Sequence, residues 1–252
     1  MMVNSFCRLY FRSFSQLLLV MLTVFFSAHG QAKTYTVGVE AVNHFPHYDF
    51  NSGEPRGYLV EVINKFAEAQ NFDIDFKVMT VDDLWNAYIN EEVDFRLPDN
   101  LLWQRDIKKE LSITYSAPIA YFTDGVVSLY ENKDKPLAKL GTIRGFTPWG
   151  YQGDIESGEI ELVTEENLKD LMAGLYSGRF DGVYYNVEAF TKLVQEAGHP
   201  VTSVAFRRNL VKTRSIYMLS SIHHGKLVKE LNQFLRTNKT WVRERKAHYG
   251  LK

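Results

Sequence analysis

The most constraining feature of this chain is an alternation of two hydrophobic periods along residues 35–97. Tyr35-Thr-Val-Gly-Val39 alternates and carries β-branched residues, which predicts a strand. Leu59, Val62, Ile63 and Phe66 then recur at helical spacing within Leu59–Gln70. Phe72–Met79 returns to the two-residue period, with Ile74, Phe76 and Val78 on one side. Asp82 or Asp83 is expected to cap a second helix carrying Leu84, Ala87, Tyr88 and Ile89, before a strand at Val93–Leu97. Strands separated by helices of this length cannot form hairpins, so they pair in parallel in an α/β sheet.

The same order recurs more weakly downstream. Short strands are expected at Leu140–Ile143, Ile160–Val163 and Phe180–Tyr185, with a helix over Asn167–Tyr176. Gly145-Phe-Thr-Pro-Trp149 reads as a helix start. Phe45–Gly57 is rich in turn formers and reads as a loop. Two α/β lobes follow, each of about a hundred residues, an ordinary domain size. Residues 33–124 and 222–252 make the first lobe and residues 125–221 the second. The extended segments Gly125–Tyr130 and Ser215–Ser221 cross between them, and the helix Lys226–Arg236 returns to the first lobe.

Composition narrows the class. The chain has 252 residues, of which 45% are hydrophobic and 23% charged, which excludes a disordered or collagen-like chain. A net charge of −1 argues against a dedicated nucleic-acid binder. The one cysteine, Cys7, permits neither an internal disulfide nor a cysteine metal cluster. Residues 1–32 read as a secretory signal: Arg8 and Arg12, an apolar run Leu17–Phe26, then Gly30-Gln31-Ala32 with small residues at the cleavage-determining positions. That run is shorter than the ~20 residues that span a bilayer. Cleavage is expected after Ala32, placing the mature chain in the periplasm with 27 basic residues, 30 acidic ones and no cysteine.

Eight short stretches in fixed order carry a resemblance over roughly residues 34–250. They are Tyr35-Thr-Val-Gly-Val39, Phe45-Pro-His-Tyr48, Gly57-Tyr-Leu-Val-Glu-Val62, Glu91-Glu-Val-Asp94, Tyr115-Ser-Ala-Pro118, Gly145-Phe-Thr147, Gly178-Arg-Phe-Asp181 and Trp241–Gly250. This order resembles the family 3 extracellular solute-binding proteins, the periplasmic components of amino-acid ABC importers. The resemblance implies the type II periplasmic-binding-protein fold, with two mixed sheets flanked by helices, joined by two crossing strands and closing on a solute.

It also implies ligand positions. Phe45 matches the aromatic that covers the ligand, and Val81 an apolar wall position. Pro98, Asp99 and Asn100 fall where the family contacts ligand. Gly145 and Thr147 match the helix start that holds the ligand carboxylate with free N–H donors, a physically sound anion site. The carboxylate-binding arginine corresponds to Arg105 counting from Asp94, and to Lys109 counting back from Tyr115. Asn186 stands where the family usually has an aspartate for the ligand's α-ammonium; asparagine can hydrogen-bond but cannot neutralise a cation.

Each position also has a plainer use. Pro98-Asp99-Asn100 favours an Asx turn, and Thr147 could serve only as an N-cap. Arg96 reads as a solvated or ion-paired face residue. Trp103, Tyr121, Trp149 and Tyr151 can line a pocket or pack in cores, with Trp149 best placed for the pocket. His44 and His47 lack a third ligand at suitable spacing and read as surface loop, so no metal or cofactor is expected. His223-His224 opens the following helix.

The expected function is a non-catalytic binding protein, a monomer, that captures a small polar, carboxylate-bearing, amino-acid-like solute and hands it to an inner-membrane ABC permease. Two alternatives stay open. One is a dehydratase-like enzyme on the same fold, for which Asp99 and Glu40 are conceivable acids. The other is a sensory or accessory receptor not coupled to import.

Overall fold

The structure, a computed structural model, describes residues 32–251. The expected signal segment, Cys7 included, lies outside the described residues except for Ala32. The first third of the fold contains β1 (Lys33–Glu40), a small hairpin of β2 (Asn43–His44) and β3 (Tyr48–Asp49), α1 (Tyr58–Gln70), β4 (Phe72–Met79), α2 (Val81–Ile89) and β5 (Phe95–Asp99). Then follow α3 (Arg105–Lys108), β6 (Thr114–Tyr115), β7 (Ala120–Leu129), β8 (Lys139–Ile143), α4 (Gln152–Glu156), β9 (Glu161–Glu165), α5 (Leu168–Tyr176) and β10 (Gly182–Asn186). The chain closes with α6 (Val187–Glu196), β11 (Val204–Phe206), β12 (Thr213–Ser221), α7 (Gly225–Thr237) and α8 (Lys239–His248).

The strand–helix alternation produces the expected parallel pairing. β1 pairs with β5 in the register Val37↔Phe95 and Val39↔Leu97, and β8 pairs in parallel with β9 and β10. The sheet order is β4-β1-β5-β12-β7-β10-β8-β9. The two expected sheets are therefore the two ends of one hydrogen-bonded path. The link is β12, long enough to divide its partners. Thr213–Tyr217 pairs with β7, and Met218 and Ser220 pair with β5 across a register irregularity.

Two separate apolar cores flank this link. The first gathers Val37, Leu59, Ile63, Phe66, Phe95 and Leu97 with Val228 and Leu231 of α7, so the α7 helix does return to the first half. The second gathers Val127, Leu171, Leu175, Phe180, Val183 and Phe190. β7 runs from one to the other, with Ala120 and Phe122 in the first core and Val127 in the second. Burial of such side chains contributes roughly 1.5–3 kcal/mol each and is the main force holding each half together.

Two local expectations change. The cap of α2 is Thr80, whose Oγ1 accepts the Asp83 N–H at 3.2 Å, because the helix begins ahead of the two aspartates. The segment Gly145–Pro148 is irregular chain, followed by a 3₁₀ turn at Trp149–Tyr151 and the five-residue α4. Pro148 disfavours helical backbone at Thr147, and Gly145 has a positive φ of 85° that ends β8 in a turn. Thr147 is thus not the cap of a helix, and the expected helix-start anion site is absent from this segment.

Candidate functional site

A cavity of about 70 Å³ lies where the carboxyl ends of β1 and β5 face the turn after β8. Ligand sites of α/β sheets form at such strand ends, where loops diverge from both sides. One wall is built by Glu40, His44, Val81, Trp85, Arg96, Trp103 and Gln104. The opposite wall is Gly145, Phe146, Thr147, Trp149 and Tyr184, and the long strands add Asp124, Thr213 and Tyr217. A Cβ on Gly145 would approach Val81 Cβ to 3.1 Å, so glycine there permits the two walls to meet.

Arg96 dominates one wall. Its side chain is fully buried, and its guanidinium lies 3.7 Å over the Trp85 ring, a cation–π contact. Nη2 donates to Glu40 Oε1 at 2.9 Å, and Nε stands 3.8 Å from Asp99 Oδ1. Nε and Nη1 have no hydrogen-bond partner. Burial pushes the Glu40 carboxyl above its ordinary range, opposed by the Arg96 charge and by the Tyr48 hydroxyl, which donates at 3.2 Å.

Tyr48 also determines the state of His44. With the hydroxyl donating to Glu40, the 2.6 Å contact to His44 Nδ1 requires a proton on that nitrogen. Burial, with His47 adding a smaller effect, holds His44 well below the ordinary imidazole range, so it is neutral. Nε2 is then a lone-pair acceptor, and it has no partner.

Asp124 faces the cavity from β7. Burial, and secondarily the nearby Glu40, pushes its carboxyl up to about 8. Tyr184 beside it spends its hydroxyl on Thr213 Oγ1 at 2.8 Å.

Of the residues singled out in the sequence, Val81, Gly145, Thr147 and Trp149 line this cavity, as does Trp103. Glu40, His44 and Arg96, read in the sequence for other uses, line it too, and the remaining expected ligand contacts lie elsewhere. Phe45 stacks edge-on against Tyr249 at 5.9 Å, lies under the Arg56 guanidinium and borders a separate open crevice. Asp99 is fully buried behind the wall, accepting from Lys108 Nζ at 2.6 Å, Ser220 Oγ at 2.6 Å and the Asn100 N–H at 2.7 Å. Asn100 fastens the crossing strand, donating to Ser215 Oγ and the Ile216 carbonyl, both at 2.7 Å. Asn186 caps α6 by accepting the Ala189 N–H at 2.9 Å. Arg105 and Lys109 are both exposed, while Lys108 between them turns inward to Asp99.

Other readings shift too. His44 and His47 are buried, not surface residues, because the loop folds under the second half, where His47 Nε2 meets Glu188 Oε2 at 3.2 Å. Tyr121 is exposed, and Tyr151 packs in an apolar cluster with its hydroxyl donating to the Val211 carbonyl. His224 does stand at the start of α7. The cavity residues that sequence reasoning did not assign include Asp124, Trp85, Tyr184 and Tyr217, with Arg96 and Glu40 only partly anticipated. The available signal was a charge inside an apolar strand: Arg96 between Phe95 and Leu97, and Asp124 between Phe122 and Val126.

No family model matches the chain, and no curated protein matches it. Solved structures do. An ancestral arginine-binding protein bound to arginine superposes with TM-score 0.69 at 17% identity, covering 87% of this chain and 99% of that one. An arginine-specific periplasmic binding protein from Salmonella typhimurium gives TM-score 0.67 at 16% identity, covering 86% and 99%. A histidine kinase sensor domain with similarity to periplasmic binding proteins gives TM-score 0.70 at 17% identity, covering 87% and 96%. With its two cores, its crossing strands and this breadth of structural likeness, the chain has the periplasmic-binding-protein fold.

Proposed function

We propose that this chain is a periplasmic solute-binding protein that captures an amino-acid-like solute in the cavity at Arg96. The observation that carries the reading is the Arg96 side chain: a buried guanidinium in a cavity wall, with Nη1 and Nε making no hydrogen bond and only Nε in ion-pair range of an acid, Asp99. An unsatisfied buried donor costs about 1–3 kcal/mol, more when charged, and a solute carboxylate offsets that cost through charge-assisted bonds. Arg96 thereby takes the role that the sequence left between Arg105 and Lys109. Val81, Thr147 and Trp149 complete the walls. Phe45, Asp99, Asn100 and Asn186 act through packing or positioning. The solute class is supported by the structural neighbours, two of which bind arginine by their descriptions.

In this reading residues 33–124 and 222–252 form one lobe and residues 125–221 the other, hinged through β7 and β12. A cavity of about 70 Å³ is well below the roughly 150 Å³ that accommodates benzene. A solute of amino-acid size therefore enters only when the walls part, by hinge motion of the lobes. The chain is exported by cleavage after Ala32, acts as a monomer and delivers its solute to an inner-membrane ABC permease. The sensor-domain neighbour supports one other destination, a receptor that passes the closed form to a membrane partner.

Native mass spectrometry of protein taken from the periplasm tests this. The expected result is a chain beginning at Lys33 that carries one small solute, lost on Arg96→Met. Full-length chain in the membrane fraction, or a solute retained by Arg96→Met, would overturn it.

A further inference from the structure

We propose that Asp124 is the specificity-determining residue of this cavity, and that it takes a cationic group of the solute, an ammonium or a guanidinium. The inference rests on the solute-binding reading above and names the chemistry of the other end of the solute.

The argument begins with charge. Arg96 and Glu40 are bonded to each other, and Lys108 and Asp99 are bonded to each other behind the wall. Of the acidic and basic groups that line the cavity, Asp124 is the one with no ion-pair or hydrogen-bond partner among the described residues. The other acids drawn into the interior of the first half are engaged: Asp49 holds Arg56, and Asp94 holds Thr36 and His224. A half-buried carboxyl without a partner is costly to ionise, and a ligand cation that completes it offsets that cost.

Position gives the second line. Asp124 stands directly opposite Asn186 in the antiparallel register of β7 and β10. Opposed residues of such a pair lie about 4.5–5.5 Å apart. The resemblance assigns the ammonium-binding acid to position 186, and here that side chain is used to cap α6. The acid has moved one strand across the sheet, onto the residue that lines the cavity.

A third observation concerns a different element. His44 Nε2, buried on the same cavity, is an acceptor without a donor. Two acceptors without donors, among the faces of Trp103, Phe146, Trp149 and Tyr217, describe a pocket for a donor-rich cation.

The charged and titratable groups that line the cavity with Asp124 are Glu40 of β1, Arg96 of β5, Tyr184 of β10, Tyr217 of β12 and His44, with Tyr185 of β10 close by; of these Glu40 adds to the upward shift that burial imposes on Asp124. Burial holds Asp124 at about 8, so the solute-free protein keeps the proton at neutral pH. A bound cation favours the ionised form and expels that proton to solvent.

The test is titration calorimetry of the mature chain with the twenty proteinogenic amino acids, agmatine and glycine betaine. It is run in phosphate and in Tris, whose different ionisation enthalpies reveal proton release. The strongest binder is repeated as the analogue with hydroxyl in place of its cationic group. We expect proton release on binding near neutral pH, and loss of about 10- to 100-fold in affinity for the cation-free analogue. The same loss is expected in Asp124→Asn, with release abolished and much of the affinity recovered by adding Asn186→Asp. Thermal melts confirm that each variant folds. Binding without proton release, equal affinity for the cation-free analogue, or unchanged affinity in folded Asp124→Asn would overturn the assignment and leave the solute-binding reading standing. Failure of the unmodified protein to bind any of these probes would overturn both.

Discussion

Two aspartates, Asp99 fully buried and Asp124 half-buried, divide the polar interior of this molecule. Asp99 and Asp124 each sit on a strand near the cavity, yet their surroundings are opposite. Asp99 accepts from an ammonium, a hydroxyl and a backbone N–H, all within 2.7 Å. Asp124 accepts from nothing among the described residues, and burial lifts it to about 8. A carboxylate saturated by its own chain has no capacity left for a guest. One that the chain leaves bare costs stability in the free protein and gains on binding. The difference teaches that burial and charge alone do not mark a binding residue. The informative quantity is which partners are already spent.

The largest effect should come from breaking the satisfied side. Lys108→Met leaves Asp99 buried beside Arg96 without its main counter-charge. It should cost about 3–5 kcal/mol in chemical denaturation. A loss below 1 kcal/mol would show that Arg96 and Ser220 suffice. Arg96→Met comes next. It should weaken solute binding by about 100-fold in calorimetry, the value of two charge-assisted bonds, and a smaller loss would place the anion elsewhere.

Asp124→Asn should act mainly through pH. In the folded protein Asp124 holds its proton up to about 8, whereas in the unfolded chain it titrates near the ordinary carboxylate value of about 4. The folded state therefore binds the extra proton across that window, and stability falls as pH rises through it, then levels off. Thermal melts of the solute-free protein between pH 5 and about 9 should show this decline, flattened in Asp124→Asn. A decline of equal slope in the variant would assign it to another group. The smallest effect belongs to Arg105→Ala and Lys109→Ala. Both side chains are exposed, so affinity should change by less than about 0.5 kcal/mol. A tenfold loss in either would restore that residue to the site.

The sequence by itself determined the class of fold. Hydrophobic periodicity is a local property, and it placed β1, α1, β4 and α5 within a residue or two of their ends. Alternation of strand and helix then required parallel pairing, and two such runs required two cores. The apolar, extended segments Gly125–Tyr130 and Ser215–Ser221 that flank the second run were read as crossings on that character alone. The cavity was legible in part, through Val81, Gly145 and Thr147, which the resemblance implied, and through Trp149; all four stand in loops or at element starts near the ends of parallel strands, where such cavities form.

What only the tertiary structure decided was which charged and polar groups are left over. Whether Arg96 faces solvent depends on Glu40, 56 residues away, and on Trp85 beneath it. Asp99 belongs to the interior because Lys108 and Ser220 reach it from α3 and β12. His44 and His47 are buried by contacts with Tyr185 and Glu188, more than 140 positions on. Local pattern states what a side chain can offer. Burial and hydrogen-bond satisfaction are sums over neighbours brought in from distant parts of the chain, and those sums exist only once the fold has closed.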